Sequence, residues 1–328
     1  MGLNKVFLFA AISDTICIMH INTKKKFVAG LSITSNVILS VLKIIAGIIS
    51  GSISIISEAI HSVSDCFASV LTYFSVSKSS VPADDDHPYG HGKYEDMAGF
   101  IEGLLIIFAA IYIIYEATRK IVLGLHVHSE SYLGIIVMLA AVIMNIIIST
   151  LLFKTAKESN SISLYADAEH LRTDVYSSLG VLIGLILIKV TGHSVLDPIV
   201  AILVAGFIYK AGHSIAQKAL HNLLDQSLPK DDIEAIRKIV KEFAKYTSLK
   251  RHGIKARQVG PTKDIDLVLQ FPEYTSICEC HKICEEIEQQ IKDLYPHCSI
   301  SIHPEPVCYQ KYCKKVCKHE CDDNQAIK

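Results

Sequence analysis

The chain has 328 residues, 50% of them hydrophobic and 20% charged, with a formal net charge of −1 and a mean hydropathy of +0.36. That hydropathy is high for a protein dissolved in water, and the charge balance carries no basic signature for a nucleic-acid partner. Eight of the ten cysteines lie between Cys278 and Cys321, which argues against a secreted disulfide framework and for reduced thiols on a cytosolic segment.

In chain order, residues 1–27 read as an N-terminal leader. Residues 6–21 are apolar but contain Asp14 and His20, and Lys24, Lys25 and Lys26 follow them. The run is short for a membrane span, and its charge lies on the wrong side for a signal peptide. Six hydrophobic runs then occupy residues 28–51, 54–76, 97–122, 132–153, 162–190 and 196–215. Each is near the ~20 residues that cross a bilayer core, where closed backbone hydrogen bonding demands helices. The sequence therefore predicts a six-helix transmembrane domain over residues 28–219. Lys24–Lys26, Lys78, Lys93, Lys154, Lys157, Lys210 and Lys218 fall on one side, and the opposite loops, 123–131 and 191–195, hold no lysine or arginine. That asymmetry puts both termini in the cytoplasm of a multi-pass cell-membrane protein. Ser57, Ser62, Ser64 and Ser69 in the second run, and Ser177, Ser178, Gly180 and Gly184 in the fifth, allow close helix approach.

Residues 220–306 change character. A helix is predicted over 231–245 from Ile233, Ile236, Ile239, Val240 and Phe243, a strand over 252–258, and a turn at Val259-Gly-Pro-Thr. Ile265, Leu267, Leu269 and Phe271 alternate with Asp266, Val268 and Gln270 as a half-buried strand does. A charged amphipathic helix over 276–294 and a short strand over 299–303 complete an α-β-β-α-β order, which suggests a small two-layer α+β domain. Residues 307–328 form a Cys-rich polar tail.

Chemistry concentrates in four places. His61 and Asp65 in the second run, and His170 and Asp174 in the fifth, are His-xxx-Asp steps. At about 3.6 residues per turn, each step puts an imidazole and a carboxylate on one helix face. Ionisable side chains inside a membrane mark function by default, and two imidazoles with two carboxylates make a four-ligand site that zinc accepts. Glu58 lies three residues before His61, where an interfacial carboxylate is the simpler reading. Asp84, His87 and His91 sit between the second and third runs, interrupted by Pro88 and Gly90; they are either a solvated turn or a weak, open metal site. Cys280 and Cys284 share a helix face with Cys278 nearby, as buried small hydrophobes or as ligands. Cys308, Cys313, Cys317 and Cys321, with His319, match no standard zinc-finger spacing.

Three segments, Ser57-Glu-Ala-Ile-His-Ser-Val-Ser-Asp65, Pro82-Ala-Asp-Asp-Asp-His-Pro-Tyr-Gly-His-Gly-Lys-Tyr-Glu95 and Ala168-Glu-His-Leu-Arg-Thr-Asp174, resemble the cation diffusion facilitators. The resemblance covers residues 28–306. It implies six transmembrane helices, a C-terminal cytoplasmic metallochaperone-like αββαβ domain, a homodimer in the lipid bilayer, and divalent-cation/proton exchange with no enzymatic activity and no cofactor. It carries the transport site to His61, Asp65, His170 and Asp174, a minor site to Asp84, His87 and His91, and a cytoplasmic metal site at the dimer interface to His252, His281, His303 and Glu305. A further histidine of that last site is replaced here by Val268. It also implies a charge interlock between Lys93 and Asp225. Two histidines and two aspartates resemble the zinc-selective branch, so Zn2+ is expected as substrate and regulatory ligand, ahead of Cd2+, Co2+, Fe2+ or Mn2+. The alternatives are a metal-sensing membrane protein without transport, and a membrane metallohydrolase, against which the closed quartet and the lack of an HExxH motif both argue.

Overall fold

A computed structural model describes residues 21–50, 53–123, 132–191 and 196–307, and leaves out among these the side chains of residues 53–61, 180–191 and 251–252 with a few others. The leader up to residue 20, both lysine-free loops and the cysteine tail lie outside the described residues. The chain divides into two units, Met1–Leu224 and Asp225–Lys328.

The first unit contains six long helices among the described residues: α1 (Ile21–Ser50), α2 (Ile53–Ser79), α3 (Lys93–Leu123), α4 (Tyr132–Ser159), α5 (Ile162–Thr191) and α6 (Leu196–Leu223). Four stretches among the described residues, Ile21–Ala46, Lys93–Leu123, Leu139–Ser159 and Pro198–Leu223, are long and apolar enough to cross a membrane. They belong to α1, α3, α4 and α6. The other two helices, α2 and α5, carry the polar stripes described below. Alanines and leucines such as Ala29, Ala156, Leu152, Leu164 and Leu171 form one buried cluster, and Ile106, Ala110, Ala166 and Ile208 a second. Phe67, Phe108, Tyr112, Phe207 and Leu203 stay exposed around the bundle, a surface that suits lipid and not water.

The helices outrun the apolar segments at the lysine-bearing end. Helix α1 starts seven residues before the apolar run at residue 28, and α6 ends eight residues beyond residue 215. The reason lies in partners distant in sequence. Lys24 in α1 pairs with Glu158 in α4, and Lys25 pairs with Glu95 in α3. Glu95 is wholly buried, and the hydroxyls of Ser79 and Ser161 also donate to it. One carboxylate thus ties together the ends of α1, α2, α3 and α5. Helices α3 and α6 approach most closely: a Cβ added at Gly103 would lie 2.7 Å from the Ala216 nitrogen, and one at Gly212 would lie 2.8 Å from Ile106.

The second unit runs α7 (Lys230–Glu242), β1 (Ser248–Val259), β2 (Thr262–Phe271), α8 (Ile277–Leu294) and β3 (Cys298–Pro306). Asp231 and Asp232 open α7 and Lys241 closes it, in favour of its macrodipole. Ser276 caps α8 by accepting from the Glu279 N–H, with Glu279 in the capping-box position. The sheet order is β1-β2-β3; β1 and β2 form an antiparallel hairpin, and β3, returning after the α8 crossover, lies parallel to β2. Ile236 and Val240 of α7, Ile265, Leu267 and Leu269 of β2, and Ile283, Ile287 and Ile291 of α8 share one core, so the helices form a layer on one face of the sheet.

Candidate metal centre

Two polar stripes face each other across α2 and α5. On α2, Ser62, Asp65, Ser69 and Thr72 recur every three or four residues; on α5, Ser163, Asp167, His170 and Asp174 do the same, so each set shares a helix face. All but Asp174 are buried. The stripes meet at two levels. His170 Nε2 lies 3.2 Å from Asp65 Oδ1, and the Ser69 hydroxyl donates to Asp167 Oδ1 at 3.0 Å. Ser69 is itself met by the Asn36 amide (2.8 Å) and by Ser32 (3.1 Å) from α1.

Asp65, His170 and Asp174 each offer one donor atom, and the three atoms lie within 4.8 Å of one another. A tetrahedral zinc site with bonds of about 2.0–2.1 Å has ligand–ligand edges of roughly 3.3 Å, and the His170–Asp65 distance already fits such an edge. The Nδ1 of His170 is buried without a hydrogen-bond partner among the described residues. The backbone of His61 lies one turn before Asp65 on α2, but its side chain and that of Glu58 lie outside the described residues.

The second cluster sits in the loop before α3. Asp84 Oδ1 is 3.4 Å from His87 Nδ1, and Asp84 Oδ2 is 3.4 Å from His91 Nε2, with the two imidazole centroids 4.4 Å apart. These three also place one donor atom each within 4.8 Å. The His87 N–H donates to Asp84 Oδ1 at 2.7 Å, and Gly90 takes the positive φ (81°) that the turn needs. The His87 backbone N–H, with smaller attraction from the two imidazoles, holds the Asp84 carboxyl below its usual range, so it stays ionised and ready for a cation. His91 Nδ1 lies 3.2 Å from the Pro82 carbonyl. With its proton on Nδ1, His91 donates there and leaves Nε2 free for a cation held beside Asp84, the arrangement typical of ligating histidines.

The described cytoplasmic candidates, His281, His303 and Glu305, are not gathered within one chain. His281 is exposed on α8 beside Glu285 at 3.3 Å. His303 is exposed on β3, in register with Val268, whereas its neighbours Ile300 and Ile302 pack toward the core that α8 covers. His281 and His303 are thereby on opposite sides of the sheet layer. Glu305 is bound to Lys250 at 2.8 and 3.1 Å. The His252 side chain lies outside the described residues. Cys280 and Cys284 pack against the core, and burial, followed by the Cys280 neighbour, pushes the Cys284 thiol up to about 12, which suits a small hydrophobe better than a thiolate ligand. Asp225 pairs with Arg257 at 3.1 Å inside the second unit.

Among the described residues, the buried Lys43, Asp96, Glu102 and Asp167 were given no role by the sequence, and the buried Lys25 and Glu95 no partner. For Glu102 the signal was available, since it stands inside a run apolar enough to span a membrane, where a carboxylate demands an explanation.

Two family models match the chain: the cation efflux transmembrane domain over residues 30–224 and the cation efflux protein cytoplasmic domain over residues 228–307. An uncharacterized transporter of Methanocaldococcus jannaschii is 34% identical over 264 residues, covering 80% of this chain and 92% of the relative. An uncharacterized transporter of Synechocystis is 32% identical over 268 residues, covering 81% and 85%. The cation-efflux pump FieF of Shewanella oneidensis is 27% identical over 282 residues, covering 86% and 94%. With both domains matched and a polar, cation-sized cluster buried between its helices, this chain belongs to the cation diffusion facilitator family of cation-efflux transporters.

Proposed function

We propose that the protein exports divalent cations from the cytoplasm in exchange for protons, with Zn2+ as the best-fitting substrate. The observation that carries this reading is the trio of buried Asp65 and His170 with half-buried Asp174, whose donor atoms lie within 4.8 Å on two facing helices. Carboxylate and imidazole together suit Zn2+ better than a hard ion that wants six or more oxygens. His61, one turn from Asp65, completes four ligands. All six long helices cross the membrane, both termini face the cytoplasm, and the second unit joins two copies into a homodimer.

Exchange follows from ligand chemistry. A metal needs a neutral imidazole and ionised carboxylates, so metal and protons exclude each other from the same atoms. Zn2+ loads from the cytoplasm by way of Asp84, His87 and His91 and binds Asp65, His170 and Asp174. Outward opening then lets protons displace it, and the protonated site returns. The cytoplasmic histidines, His252, His281 and His303 with Glu305, act as a regulatory site only through the second copy, since one chain does not gather those that are described.

The test is metal-driven proton movement in proteoliposomes across a panel of Zn2+, Cd2+, Co2+, Fe2+ and Mn2+ at a set pH gradient. Asp174→Ala abolishes both fluxes. Wild-type rates in that variant would remove Asp174 from the site, and a wild type that moves no ion would leave the sensing role.

A further inference from the structure

Deeper in the bundle lies a carboxyl that metal binding does not use. Glu102 on α3 is fully buried; Thr72 of α2 donates to its Oε1, and its Oε2 has no hydrogen-bond partner among the described residues. Asp167 on α5 is also fully buried, held at Oδ1 by Ser69 and bare at Oδ2. Glu102 feels the repulsion of Asp167 and the attraction of His170, and Asp167 feels His170 and Asp65 in turn.

No buried lysine or arginine among the described residues is shown paired with Glu102. Lys24 and Lys25 are paired with Glu158 and Glu95, and Lys43 donates to Ser62. Helix α6 meets α3 through Gly212 and Ala216, and its Lys210, His213 and Lys218 are exposed. Helix α2 offers Thr72, and α5 offers Asp167 and His170. An ionised carboxylate with a bare oxygen in such a core bears a heavy desolvation cost, which a proton on that oxygen removes. Among the described residues Glu102 and Asp167 belong to no three-ligand group, so the fitting ligand is a proton.

We propose that Glu102 is a second proton-binding site of the transporter, coupled through Asp167 to the metal centre. The inference rests on the exchange reading above. Zn2+ brings two positive charges into the core. Loss of the Glu102 proton offsets part of that charge, and in low dielectric such compensation is strongly favoured. Metal loading then drives off a proton that no metal ligand carried.

Zn2+ titration of the purified full-length protein in weak buffer with a pH indicator, alongside the bound Zn2+ count, tests this. Wild type releases the Glu102 proton together with those of the ligands. Glu102→Gln binds Zn2+ but releases up to about one proton fewer per protomer, and Glu102→Asp restores the count. Unchanged release in a Zn2+-binding Glu102→Gln protein overturns the proposal. If that variant does not fold, infrared difference spectra of the wild type decide: Zn2+ removes a protonated-carboxyl carbonyl band, and the lack of such a band overturns it. A wild type that binds no Zn2+ defeats the exchange reading instead, and this inference with it.

Discussion

Replacing Lys25 by Met leaves Glu95 as a buried anion without its cation. The Lys25 side chain is 2% exposed and that of Glu95 is 0%, so neither is relieved by water. Removing one partner of such a pair costs about 3–5 kcal/mol. Glu95 keeps the hydroxyls of Ser79 and Ser161, and donors to a charged acceptor remain worth having, so the lower end applies. The expected loss is about 3 kcal/mol, on the order of 100-fold in the unfolding equilibrium. Removing both charges in Lys25→Met/Glu95→Gln restores most of it, because the amide still pairs with the serines and no ion stays buried. The coupling energy from the double-mutant cycle should be at least about 2 kcal/mol. Reversible unfolding in mixed micelles, followed by circular dichroism, measures all four proteins under one condition. A single variant costing less than about 1 kcal/mol, or a double variant equal to the sum of the singles, would refute the reasoning.

Two further outcomes follow from local chemistry. The Cys284 thiol, pushed up to about 12 by burial, is on the order of one part in ten thousand thiolate at pH 8, against roughly a quarter for an unperturbed thiol; iodoacetamide should label exposed Cys278 long before Cys284, and equal labelling by mass spectrometry would contradict the assignment. Gly103→Ala forces a methyl against the Ala216 backbone and should cost about 1–3 kcal/mol, whereas Gly206→Ala, with nothing within 4 Å of the added carbon, should be neutral or mildly stabilising in the same unfolding assay.

Local periodicity carried much of the architecture. The alternation of Ile265, Leu267, Leu269 and Phe271 and the spacing of Ile283, Ile287 and Ile291 are properties of neighbours in sequence, and the α-β-β-α-β order followed from them. The parallel pairing of β3 with β2 is less legible, since it depends on where the α8 crossover sets the chain down. The i, i+4 spacing brought out Asp65, His170 and Asp174 because a helix turns it directly into geometry. What stayed hidden depended on pairs far apart in the chain. Lys25 meets Glu95 across 70 residues and Lys24 meets Glu158 across 134, so the extension of α1 beyond its apolar run had no local sign. Glu102 was passed over because hydropathy averaging absorbs one carboxylate among apolar neighbours, and Asp167 because the His170–Asp174 step beside it is more conspicuous.

The absent side chains at Gly103 and Gly212 also have a mechanical meaning. Where α3 and α6 touch, backbone rests on backbone and on a single methyl or isoleucine. Such a seam has no rotamers to re-sort, so sliding one helix past the other would drive Cα atoms over each other. The two helices move as one stiff strut. In the proposed transport cycle, the motion that turns the site from one side of the membrane to the other is therefore taken up elsewhere, at surfaces where longer side chains can exchange neighbours.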